Sequence, residues 1–152
     1  MLLLDHLPLL EAARLHYRQP HRGYHNQEHL DELIALARRY TPDLDTAEQL
    51  ALLFHDAVYV PGAGHGLNEG LSARLMRATI AALGRTDRLV AGLTEGELQK
   101  AATIIEATTH DREPPAEAAR LCDLDLWRLA APWPDFERHA DGVRHEYLHL
   151  VG

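Results

Sequence analysis

The stretch Leu53-Phe54-His55-Asp56-Ala57-Val58-Tyr59 sets an imidazole beside a carboxylate at the end of an apolar run. A neutral imidazole nitrogen and a carboxylate oxygen together suit divalent cations such as Mn, Fe, Co, Ni or Zn. The dipeptide alone is not a site, because a His at a helix C-terminus beside a solvated Asp also satisfies the helix dipole. Further donors stand elsewhere in the chain. His25 and His29 precede one apolar-periodic segment, His110 closes another, and Asp123 and Asp125 lie beside the apolar stripe of a third. In chain order the candidate ligand set is His29, His55, Asp56 and Asp125, with His110 as a candidate fifth group. Asp123, two positions from Asp125, points elsewhere on a helix and reads as a surface acid or one that supports a ligand rather than as a ligand itself.

The elements that must position these groups are helices. Leu and Ala dominate the sequence while β-branched and aromatic residues are sparse, which favours helices packed on helices. Leu3, Leu7, Leu10, Ala13 and Tyr17 recur at helical spacing and predict a first helix ending near Gln19-Pro20. A polar loop then brings His25 and His29 to a second helix start, with Asn26 as N-cap. Asp43 or Asp45 caps a third helix, whose Ala47, Leu50, Ala51 and Phe54 form its core stripe and which runs into His55-Asp56. The breaker-rich Val60-Pro61-Gly62-Ala63-Gly64-His65-Gly66 lacks the Gly-Lys-Ser/Thr ending of a P-loop and reads as a lid or site-forming turn. Asn68 caps a helix with Leu71, Leu75, Ala78 and Ala82 inward, ending at Gly84, and a polar connector spans Arg85 to Gly92. Thr94 with Glu97 opens a helix that leads to His110, and Pro114-Pro115 restarts the chain into one carrying Leu121, Leu124, Leu126 and Leu129. Pro132 and Pro134 break that helix, and a last one runs from Phe136 to Val151. The expected fold is an all-α compact bundle of about six to seven helices, a single domain over 1–152.

Composition narrows the function classes. With 152 residues and 46% apolar content the chain can bury a core without disulfides, and its one cysteine, Cys122, fits a reducing cytoplasmic setting. The segment Met1 to Leu10 contains Asp5, His6 and Pro8 and is not read as a secretion signal. No run reaches the roughly 20 apolar residues of a membrane span. A formal charge of −8 with a single lysine argues against a nucleic-acid polymer as partner. Of the eleven histidines, His6, His16, His65, His139, His145 and His149 read as surface or otherwise satisfied polar residues.

The order His, then His-Asp, then a distant Asp resembles the HD superfamily of metal-dependent phosphohydrolases. His25-Asn26-x-x-His29-Leu30 is similar to the motif that opens the second helix in these proteins, and Phe54-His55-Asp56 to the motif that names them. Glu69-x-x-Ser72-Ala73 and Asp123-Leu124-Asp125-Leu126 resemble the later segments. The string Arg22-x-Tyr24-His25-Asn26-x-x-His29 narrows the resemblance to a bacterial subgroup of predicted HD phosphohydrolases of unknown substrate. The likeness covers Tyr17 to Leu129. It implies an all-helical fold, one divalent metal held by His29, His55, Asp56 and Asp125, and hydrolysis of a phosphoester or phosphoanhydride. The family pattern continues past Tyr147-Leu148-His149-Leu150-Val151-Gly152, so a closing helix is either missing or supplied by a partner chain.

Such chemistry assigns roles to named residues. A bound metal polarises a phosphoryl oxygen and lowers the pKa of water. Asp56 and Glu69 are the catalytic candidates, Glu69 to receive or return a proton. Arg18 and Arg22 are candidates to pair with phosphate oxygens, and His25, Asn26 and His110 to contact substrate or orient a ligand, with a second metal as a further option for the two histidines. The expected partner is a small phosphorylated molecule such as a nucleotide, with a homodimer also expected. Two other classes stay open: a nucleotide-binding regulatory module with little turnover, and a di-iron oxygenase.

Overall fold

A computed structural model describes residues 2–148 of the chain. In chain order its helices are α1 (Leu7–His16), α2 (Gln27–Tyr40), α3 (Thr46–Phe54), α4 (Leu67–Leu83), α5 (Arg88–Ala91), α6 (Glu95–Ala107), α7 (Ala119–Asp125) and α8 (Trp133–Glu146). Two 3-10 turns, Ala116–Ala118 and Trp127–Ala130, flank α7, and no strand occurs among the described residues. The fold is all-α, as expected. The helix count exceeds the expected six to seven because α5 forms inside the supposed connector, where Asp87 accepts the Val90 N–H at 3.0 Å.

α3 is the hub of the bundle. Every residue from Ala47 to Phe54 is buried, because α1, α2, α4, α6 and α7 all pack around it. Fully burying Leu50, Leu52, Leu53 and Phe54 contributes about 1.5–3 kcal/mol each. The two polar residues caught in this burial are both satisfied. Gln49 Oε1 accepts the N–H groups of Leu3 and Leu4, and Glu48 pairs with Arg120. Asp45 is the cap: it accepts the Glu48 N–H at 2.8 Å while Glu48 reaches back to the Asp45 N–H at 3.1 Å. Asp43, the alternative cap, instead pairs with Arg120 at 2.9 Å.

Several local expectations change once packing is visible. Gly66 at φ 73° precedes α4, while Asn68 lies inside the helix and holds both the N–H and the C=O of Val60. α4 is rotated from the expected face: Ser72, Ala73, Met76 and Ile80 are buried, whereas Leu71, Ala78 and Ala82 face outward. Leucine spacing alone misplaced the face, because small residues allow close approach to α3 and α6. Leu7 is exposed, and α1 stops at His16, before Gln19-Pro20. The single helix expected after Pro114-Pro115 is a 3-10 turn, a short α7 and a second 3-10 turn, leaving Leu126 and Leu129 exposed. α8 begins at Trp133 with Pro134 in its first turn, where a missing N–H costs nothing. The end of the expected last helix and His149 lie outside the described residues.

No helix among the described residues is long and apolar enough to cross a membrane.

Candidate metal centre

His29 enters the site because Asn26 stops the loop and starts α2. Asn26 Oδ1 accepts the His29 N–H at 3.1 Å, which fixes His29 in the first turn of the helix. His55 and Asp56 follow directly on α3, and two buried side chains hold this turn. The Tyr17 hydroxyl donates to Leu53 O at 3.0 Å and accepts the Asp56 N–H at 3.2 Å. Arg22, 4% exposed, donates to Asp56 O at 2.6 Å and to Ala57 O at 2.9 Å, and also to His25 O and Gln19. Ser72 of α4 continues the support by bonding both the N–H and the C=O of Val58. Asp125 is the last residue of α7, which packs on α2 and α3.

These elements bring one ligand atom from each of His29, His55, Asp56 and Asp125 to within 4.8 Å of one another, a group that could hold a metal ion. His29 Nε2 lies 3.6 Å from Asp56 Oδ2 and 3.5 Å from Asp125 Oδ1; His55 Nε2 lies 3.1 and 3.2 Å from the same two oxygens. Donors each about 2.1 Å from a common ion stand about 3.0 Å apart in octahedral and about 3.4 Å apart in tetrahedral coordination. The two His55 spacings fall within that range, and the two His29 spacings of 3.5 and 3.6 Å lie just above its tetrahedral end. Two further observations favour a cation. His29 Nε2 and Asp56 Oδ2 are buried and have no hydrogen-bond partner. His55 Nδ1 donates to Leu52 O at 2.9 Å, so in the neutral imidazole the Nε2 lone pair faces the two carboxylates.

The electrostatics describe the same need for positive charge between the acids. Burial pushes the His55 imidazolium pKa down, but Asp56 and Asp125 outweigh it and hold it well above the usual histidine range. Burial pushes Asp56 up, outweighed by His55 and then His25, so its carboxyl titrates well below the ordinary range. Asp125 behaves alike, its burial being outweighed by the charge of His55 and by the hydrogen bond from His110, with the His29 imidazole also close by. The side chains of Asp56 and Asp125 keep 16% and 14% exposure, so the carboxylate side of the centre opens to solvent.

The other sequence candidates fall into three groups. His110 and His25 border the centre. His110 Nε2 lies 2.6 Å from Asp125 Oδ2, the oxygen facing away from the ligands, and this bond first, then Cys122, raises its pKa to about 9. Its left-handed φ of 57° turns it back from the end of α6 toward α7. His25 stacks on Tyr59 at 3.9 Å, with its ring 5.9 Å from that of His29. Asn26 and Arg22 act through the backbone as described, and their hydrogen bonds leave the Arg22 guanidinium committed to carbonyls and Gln19. Arg18 lies on the surface with Glu11 and Gln27, and Glu69 is half-buried with no hydrogen bond or ion pair among the described residues.

Sequence reasoning missed Glu146. It is 1% exposed at the end of α8 and takes both the His25 N–H at 3.0 Å and His25 Nδ1 at 2.8 Å. It gave no signal as one acid near the end of a polar helix. His139, read from the sequence as a surface or otherwise satisfied polar residue, is buried, and its unpartnered Nδ1 belongs to a residue lining a cavity of about 60 Å³ between α8 and the start of α2. That cavity touches His29 but none of the other three ligands, and its size suits a water or two rather than a phosphorylated substrate.

Compared with known proteins, the chain matches no family model, no curated protein and no solved structure.

Proposed function

We propose that this chain is a metal-dependent phosphohydrolase of the HD type, cleaving a phosphoester or phosphoanhydride of a small phosphorylated metabolite such as a nucleotide. The observation that carries the reading is the convergence of two imidazoles and two carboxylates with His29 Nε2 and Asp56 Oδ2 left unpartnered. This donor set suits one divalent ion among Mn, Fe, Co, Ni and Zn. Bound there, such an ion supplies positive charge for phosphoryl oxygens and makes water a nucleophile near neutral pH.

The chain's own residues do the rest. Tyr17 and Arg22 hold the His55-Asp56 turn rigid, so that the ligands need not reorganise when substrate arrives. His110, kept protonated by Asp125, is placed to give a proton to a departing oxygen. Glu146 orients His25 through Nδ1, leaving its other nitrogen for a ligand or a water. Glu69, with no competing bond, remains the second candidate to receive or return a proton.

The test is metal analysis of the purified protein followed by a phosphate-release screen over nucleotides and sugar phosphates with Mn, Co or Ni added. Release by wild type and its loss in His55→Ala is the expected outcome. No release from any compound, with His55→Ala indistinguishable from wild type, overturns the assignment. Two metals per chain with oxygen uptake would point to di-iron chemistry, and nucleotide binding without turnover to a regulatory module.

A further inference from the structure

Five arginines are at least partly withdrawn from water, and four of them have acceptors. Arg14 bonds Glu11 and Asp31, Arg22 bonds backbone carbonyls, Arg77 bonds Glu95 and Gln99, and Arg120 bonds Asp43 and Glu48. Arg128 alone has neither a hydrogen bond nor an ion pair among the described residues. Its guanidinium carbon instead lies 5.0 Å from the centre of the Tyr24 ring, and that ring lies 4.5 Å from the His29 ring. Arg128 follows Asp125 by three residues, on the 3-10 turn that Trp127 fastens to Tyr40 by stacking at 4.8 Å. One metal ligand thus precedes Arg128 in the chain and another lies under its aromatic platform.

We propose that Arg128, supported by the Tyr24 ring, receives the negative charge of a phosphoryl group beside the metal centre; the inference rests on the phosphohydrolase reading. Two carboxylates and two neutral imidazoles only balance a divalent ion, and the charge on His110 is taken up by its 2.6 Å bond to Asp125, so a phosphate arriving there calls for a further cation. Arg18 and Arg22 do not supply it, because both are engaged elsewhere. A guanidinium stacked on a ring keeps its N–H edge for a tetrahedral anion. The Tyr24 hydroxyl has no hydrogen-bond partner among the described residues, which leaves it free to donate beside Arg128.

The experiment uses full-length protein loaded with Mn and inorganic phosphate as the probe, read by broadening of the phosphorus resonance during titration. Arg128→Gln should weaken phosphate binding about ten- to a hundredfold, with Arg128→Lys between it and wild type, and Mn affinity and the circular dichroism spectrum unchanged. Phosphate binding by Arg128→Gln as tight as by wild type overturns the role of Arg128 and leaves the phosphohydrolase reading standing. Loss of Mn in both variants also overturns it, since Arg128 would then build the centre rather than serve its ligand. A wild-type protein that holds Mn but binds no phosphate removes the phosphohydrolase reading and this inference together.

Discussion

The side chain that depends most on what lies between the ligands is His55. Without metal it carries a proton that Asp56 and Asp125 stabilise, and its raised pKa contributes stability that is fully present below about 6.5, the ordinary value, and lost as pH rises through the folded value. His110 follows the same sign, its contribution fading as pH rises toward its folded value of about 9. Asp56 and Asp125 have depressed values, so their contribution is present above about pH 3.9 and lost on acidification. The metal-free protein should therefore lose melting temperature between about pH 6.5 and 9, and His110→Gln should flatten part of that slope. A cation binding the cluster displaces the His55 proton. Titrating metal into protein at pH 7 in two buffers of different ionisation enthalpy should show release of about one proton per ion. Metal uptake with no proton release would mean that His55 is already neutral.

At the scale of elements, α8 is the piece whose placement the site depends on most. Gly23 and Gly142 cross at backbone contact: a Cβ on Gly142 would stand 2.7 Å from Gly23 O, and one on Gly23 would stand 2.3 Å from Gly142 O. Neither obstacle is a flexible side chain, so the helix itself must shift. Glu146 lies one turn beyond Gly142 on the same face, and any shift carries it away from His25. Gly142→Ala is expected to destabilise the fold by about 1–3 kcal/mol, as overpacking does. Gly70→Ala is the control. Its Cβ would meet nothing within 4 Å inside α4, and the exchange should stabilise by about 0.5–1 kcal/mol. Urea unfolding of both variants checks the pair, and equal effects of the same sign would contradict the crossing as the constraint. The helix starts, by contrast, follow local rules: Asn26, Asp45 and Thr94 each accept the N–H three residues on.

For the molecule as a whole, the ligands come from α2, the end of α3 and the end of α7, so a bound ion links segments that fold far apart in sequence. Metal at about a hundred times its dissociation constant should add about 2.7 kcal/mol, or about 5–11 °C in melting temperature for a chain of this length. Asp125→Asn should abolish most of that gain while leaving the metal-free melting curve cooperative, and differential scanning fluorimetry with and without Mn reads both. The sequence by itself determined the all-α class, the caps Asn26 and Thr94, and the four candidate ligand residues whose donors converge, because helix periodicity, short polar caps and donor chemistry are all encoded within a few residues of each position. Tertiary structure decided which arginine stays free, that Arg22 clamps the His55-Asp56 turn, which face of α4 turns inward, and that Glu146 meets His25 across 121 positions. Those choices depend on burial and on partners distant in the chain, and a local pattern carries no record of either.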